Sequence, residues 1–123
     1  MTQGMRNPKA EHVDFGFLTG VIKQKPNVLP VNVDMLYELN EHFLIAEWKN
    51  ANEQISLGQK IALKALSKQP KFIVLIIYGI SNEDGTVVNE IYKVQADILK
   101  KVGNGLKDLI SLIQKWADYA QSS

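Results

Sequence analysis

The segment Phe72–Ile80, FIVLIIYGI, limits what this chain can fold into more than any other. It is apolar almost without interruption, so as a strand it needs cover on both faces. Its nine residues are about half of the roughly 20 that cross a bilayer as a helix, so burial within a protein core is the reading it allows. A strand covered on both sides belongs to a sheet with helices packed on it, which is the α/β class.

The rest of the chain can build such a sheet. Its 123 residues suffice for one domain with one core, and 46% apolar with 22% charged content argues against wholesale disorder. Cysteine is absent, which excludes disulfides and thiolate metal sites. The opening MTQGMRNPKAEHVDF has no apolar block of the signal-peptide kind. The default expectation is a cytoplasmic protein, in whatever cell makes or hosts it, with no membrane partner.

Turn residues divide the chain. Residues 1–27 are punctuated by Gly and Pro and read as an irregular arm or a poorly marked helix. Val28 to Leu39 is rich in strand formers, Asn40-Glu41 is a polar turn, and Phe43 to Lys49 is a second strand. A helix is expected from Asn52 or Glu53 to about Ser67, closed by Pro70. Strand, helix and buried strand form a βαβ crossover, so Phe43–Lys49 and Phe72–Ile80 should be parallel, with a right-handed connection. After the Asn82–Gly85 turn, Thr86 to Val94 reads as a peripheral strand. The stripe Leu106, Leu109, Ile110, Ile113, Trp116 and Ala117 then marks an amphipathic helix that packs on the sheet or meets a partner. The expected fold is a mixed central sheet with a β-hairpin, a crossover and flanking helices.

Register makes the hairpin informative. If Leu39 pairs with His42, Asp34 lies opposite Glu47, and alternation adds Lys49 to the same face. The other face then carries Val33, Met35, Tyr37, Leu44, Ala46 and Trp48, an apolar set suited to a core. Directly opposed carboxylates repel by up to about 1 kcal/mol. A cation between them removes that cost, and hard oxygen ligands select Mg²⁺ or Mn²⁺. Such an ion polarises phosphoryl oxygens and activates water, while an adjacent ammonium offsets developing negative charge. The plainer alternative is an edge hairpin dressed with solvated charges.

The charge distribution has two readings as well. Net charge is only +1, but Asp34, Glu38, Glu41, Glu47 and Glu53 precede an all-basic stretch of Lys60, Lys64, Lys68 and Lys71. Lys60, Lys64 and Lys68 could contact DNA phosphates, or simply form the wet face of a helix. Gln59 falls within the helix stripe expected to meet the sheet, where it is either a partnered buried amide or a residue at the stripe edge reaching solvent. His12 and His42 read as bystanders, since neither has a second histidine at ligand spacing.

Asp34, thirteen positions before Glu47-Trp48-Lys49, resembles the PD-(D/E)XK nuclease superfamily pattern: an acid on one strand, Glu-x-Lys on the next, then a helix. Asn32-Val33 stands where a proline often precedes the acid. The resemblance covers roughly residues 28–80, which makes them the catalytic core of a single nuclease-like domain with a restriction-endonuclease-like fold. Residues 1–27 are then an N-terminal arm, and 81–123 a peripheral strand and C-terminal helix. It implies a Mg²⁺- or Mn²⁺-dependent endodeoxyribonuclease in which Asp34, Glu47 and the Trp48 backbone carbonyl ligate metal and Lys49 assists the nucleophilic water. Gly58-Gln59 looks like the helix glutamine that several branches place near the site. Many relatives add a glutamate from an N-terminal helix; Glu11 is the only glutamate before the hairpin, with Asp14 the nearest substitute. So small a nuclease has little room to read sequence, which points toward a structure-selective enzyme. A Holliday junction resolvase of phage or archaeal type, cutting branched DNA as a homodimer, fits that description. A non-catalytic nucleic-acid-binding or assembly protein on the same fold is the other reading.

Overall fold

A computed structural model describes residues 14–122 and divides the chain into two compact units, Met1–Pro30 and Val31–Ser123. The described part of the first unit has one regular element, a short 3-10 helix at Phe15–Leu18. Asp14 caps it by accepting the Gly16 N–H at 2.8 Å. Glu11 and His12 lie outside the described residues.

The second unit is mixed α/β. Its elements are β1 (Met35–Leu39), β2 (His42–Lys49), α1 (Leu57–Ser67), β3 (Phe72–Asn82), β4 (Gly85–Gln95), β5 (Ile98–Asn104) and α2 (Gly105–Ser122). The strands form one five-stranded sheet in the order β1-β2-β3-β4-β5. Only β2 and β3 run parallel, as a helix-containing crossover requires.

β3 accounts for the two-sided cover. Val74 and Ile76 face α1 with Leu63 and Val94, while Leu75 and Ile77 face α2 with Leu44, Ala46, Ile91, Leu109 and Trp116. Each such buried side chain contributes about 1.5–3 kcal/mol relative to exposure. The α2 stripe is only partly used: Leu109 and Trp116 are buried, but Leu106 and Ile110 remain exposed. Among the described residues, no helix is long and apolar enough to cross a membrane.

The hairpin closes as its sequence anticipates, with Leu39 opposite His42 and Met35 opposite Ala46. Asn40 and Glu41 both take positive φ, 51° and 64°, the signature of a two-residue type I′ turn. β1, however, starts at Met35 and not at Val28. Bonded and non-bonded pairs alternate along an antiparallel ladder, so the next acceptor for the Trp48 N–H would be the Val33 carbonyl. The Asp34 carboxylate takes that N–H at 2.8 Å, and the strand ends there.

Three further boundaries differ from expectation. α1 starts at Leu57, because the Ser56 hydroxyl caps it by accepting the Gln59 N–H at 3.1 Å. β4 is not peripheral; it lies between β3 and β5. β5 itself was not anticipated, since paired lysines and a glycine within ILKKVGN obscure its alternation. Charged residues of this kind are common on edge strands.

Candidate active site

The closing pair of the hairpin sets the geometry of the site. Alternation from Leu39–His42 makes the 34/47 position a non-bonded pair, where side chains stand closest, with Cα atoms about 4.5 Å apart in a regular ladder. Asp34 lies just outside β1, so its carboxylate reaches the Trp48 N–H and still acts on Glu47. The carbonyl and N–H of one strand residue point to the same side, so the Trp48 carbonyl also leaves β2 toward Asp34.

Glu47 and Lys49 occupy alternate positions of β2 on the α1 face, and their side chains are only 6% and 7% exposed. Burying two charges costs several kcal/mol each unless partners satisfy them. Gln59, from the first turn of α1, does this for both. Its Nε2 donates to Glu47 Oε2 at 2.7 Å, and its Oε1 accepts from Lys49 Nζ at 2.9 Å. Of the two readings of Gln59, the partnered amide is therefore the one realised. Lys49 Nζ is 3.6 Å from Glu47 Oε2 and 3.7 Å from Glu53 Oε2.

One oxygen is left over. Glu47 Oε1 is buried with no hydrogen-bond partner. An unpartnered buried oxygen costs about 1–3 kcal/mol, more when it is charged. Burial pushes the Glu47 carboxyl above its ordinary range, and the Asp34 charge and a hydrogen bond that the protonated pair can share with Asp34 add to this. The Gln59 hydrogen bond and the Lys49 charge pull in the opposite direction.

These effects predict a pH dependence. An acid with a raised folded pKa stabilises the fold fully below its unfolded value, and the contribution is lost as pH rises through the folded value. In metal-free buffer, wild type is expected to lose stability relative to Glu47→Gln from about pH 4.5 upward. Thermal midpoints of both proteins across pH check this; a constant or shrinking deficit contradicts it.

Not every expected residue joins the cluster. Lys64 pairs with Asp97, whose carboxyl the Lys64 hydrogen bond and charge hold below its usual range. Lys60 and Lys64 border a separate apolar groove of about 360 Å³, together with Leu57, Ile61 and Ile98. Neither Lys60 nor Lys64 is among the hydrogen-bond and ion-pair partners of Gln59, Glu47 and Lys49. Buried His42 stays at the turn, 3.0 Å from the Asn40 carbonyl and edge-on to Tyr119.

Glu53 was missed. Its Oε1 accepts the Asn50 N–H at 2.9 Å while Oε2 flanks Lys49. The four-residue spacing from Lys49 to Glu53 was the available signal. It is informative in helices, however, and this segment is a turn with Asn52 at φ 69°.

Asp34 and Glu47 supply hard oxygens, and the unpartnered Glu47 Oε1 is what a divalent cation would satisfy. The donor set fits Mg²⁺ or Mn²⁺ chemically. Among the described residues no group of three or more His, Asp or Glu side chains gathers at one point, and Glu11 lies outside them. No protein-family model, curated protein or solved structure matches this chain.

Proposed function

We propose that the chain is a metal-dependent nuclease that hydrolyses DNA phosphodiester bonds, built on a restriction-endonuclease-like core. The observation that carries this reading is the buried Glu47–Gln59–Lys49 cluster, with Glu47 Oε1 unpartnered beside Asp34. Element order agrees with it: an acid immediately before β1, Glu-x-Lys on β2, then α1 and a parallel β3.

Asp34, Glu47 and the Trp48 carbonyl would hold the Mg²⁺ or Mn²⁺ ion, which when bound polarises a phosphoryl oxygen and acidifies a water. The chain's own groups do the rest. Gln59 fixes Glu47 and Lys49 in one geometry, so neither must reorganise as charge develops. Lys49 presents a shielded ammonium toward the phosphate and the attacking water, where a low local dielectric strengthens its effect. Glu53 gives Lys49 a second carboxylate partner at 3.7 Å. A branched-DNA substrate and a homodimer cutting two strands complete the proposal.

The test is incubation of purified protein and Mg²⁺ with supercoiled, linear and four-way-junction DNA. Cleavage that requires the metal supports the proposal, and intact DNA in all three arms removes it. A second reading, a non-catalytic binding or assembly protein, draws on the internal satisfaction of Lys49 by Gln59, Glu47 and Glu53. A buried ion pair closed in this way also occurs as a purely structural device.

A further inference from the structure

The sheet surface next to Lys49 carries a feature the hydrolytic cluster does not use. Tyr78 on β3 is the direct register partner of Lys49, and residue parity puts it on the α1 face with Val74 and Ile76. Neighbouring strands are about 4.8 Å apart, so this ring begins one strand spacing from the cluster. Tyr92 on β4 stands opposite Ile76 and meets Tyr78 edge to face, with ring centroids 5.7 Å apart. Both rings are half-buried against the α1-side core and partly open to solvent.

The surroundings decide what these rings can receive. The Tyr92 hydroxyl donates to Glu90 Oε1 at 3.3 Å, and Lys101 Nζ reaches Glu90 Oε2 at 3.2 Å. Glu90 is paired with Lys101, and Lys49, the register neighbour of Tyr78, is paired with Glu47 and Glu53, so the charges around the rings are already matched. A flat, uncharged, π-faced group suits that setting. In DNA that group is a nucleobase, and only an unpaired base has a free face to offer, because bases within a duplex are already stacked and paired.

We infer that Tyr78 and Tyr92, standing edge to face, give an unpaired nucleotide next to the scissile phosphate one ring to stack on and a second ring to abut, so that the preferred substrate has a single-stranded arm or splayed bases at the cut. The inference rests on the nuclease reading for its position, yet the binding itself can be measured without cleavage. Aromatic stacking also tolerates any base, consistent with selection by DNA structure and not by sequence.

The experiment has two arms. In the first, an oligonucleotide with one 2-aminopurine in its single-stranded arm is titrated with full-length protein in EDTA, where no metal-dependent cutting occurs. Wild type quenches the probe on stacking. The double variant Tyr78→Leu, Tyr92→Leu keeps apolar bulk but removes the rings, and is expected to lose the quench and bind about tenfold or more weakly. The corresponding Phe variants restore both. In the second arm, flap and fully paired DNA are compared with Mg²⁺, and flap cleavage is preferred. Absence of quenching by wild type, or quenching unchanged in a folded Leu variant, overturns the platform even if duplex DNA is cut. Tyr-dependent quenching without cleavage of either DNA leaves the platform standing while the nuclease reading fails.

Discussion

Glu47→Gln and Lys49→Met should each lower Mg²⁺-dependent DNA cleavage by about 10³-fold or more while the protein stays folded. Both substitutions nearly preserve volume in a buried site, so loss of activity would not simply report a collapsed core. Gln in place of Glu47 removes the carboxylate that faces Asp34, and with it the negative charge that would hold the cation. Met in place of Lys49 removes the only ammonium within the cluster, leaving Gln59 Oε1 without its donor. Because these groups act as a unit, the double variant should be little worse than either single one. Gln59→Ala should cost less, about tenfold, since it loosens both partners but removes neither charge. Initial rates on junction or flap DNA at fixed Mg²⁺ provide the readout. Unchanged cleavage in both single variants would remove Glu47 and Lys49 from the chemistry.

The second large effect concerns the sheet that carries these residues. Gly79→Ala is expected to destabilise the protein by about 3 kcal/mol or more, lowering the thermal midpoint by roughly 10 °C. Gly79 sits in buried β3 immediately after the irregularity at Tyr78/Gly79. A Cβ there would overlap the Val87 carbonyl oxygen and lie 2.8 Å and 2.9 Å from Cζ2 and Cη2 of Trp48. Backbone on one side and a packed indole on the other leave it no room, so either β4 or Trp48 must move. Trp48 lies between Glu47 and Lys49 in sequence, and its displacement should reach the site as well. Thermal unfolding followed by circular dichroism checks the prediction; a midpoint within about 2 °C of wild type would show that the strands absorb the extra methyl group.

Much of this arrangement was legible in the sequence where a local rule had a single outcome. The apolar FIVLIIYGI run required cover on both faces, and α1 and α2 supply it. The Asn40-Glu41 turn fixed a register that places position 34 against 47, and alternation placed Lys49 with Glu47. Gln59 was legible as a stripe residue, although only packing could decide between a partnered amide and a solvated one.

Other features depended on tertiary competition. β1 is short because a side chain, Asp34, outcompetes the Val33 carbonyl for the Trp48 N–H, and no periodicity encodes that choice. β5 was hidden because an edge strand need not alternate. Glu53 reaches Lys49 through a turn whose Asn52 backbone is left-handed, a conformation that sequence spacing alone does not reveal. The sequence left the helix lysines as either a phosphate surface or a wet helix face, and the pairing of Lys64 with Asp97, from the β4–β5 turn, was not legible in it.

The proposed function requires Asp34 and Glu47 to share a divalent cation. Calorimetric titration of metal-free protein with Mn²⁺, carried out in parallel on wild type, Asp34→Asn and Glu47→Gln, examines that point without reference to any substrate. The expected result is saturable binding to wild type that is lost in both variants. The same ion at a hundredfold excess over its dissociation constant should stabilise wild type alone by about 2.7 kcal/mol. No saturable uptake by wild type, or uptake that persists unchanged in both variants, would contradict the account.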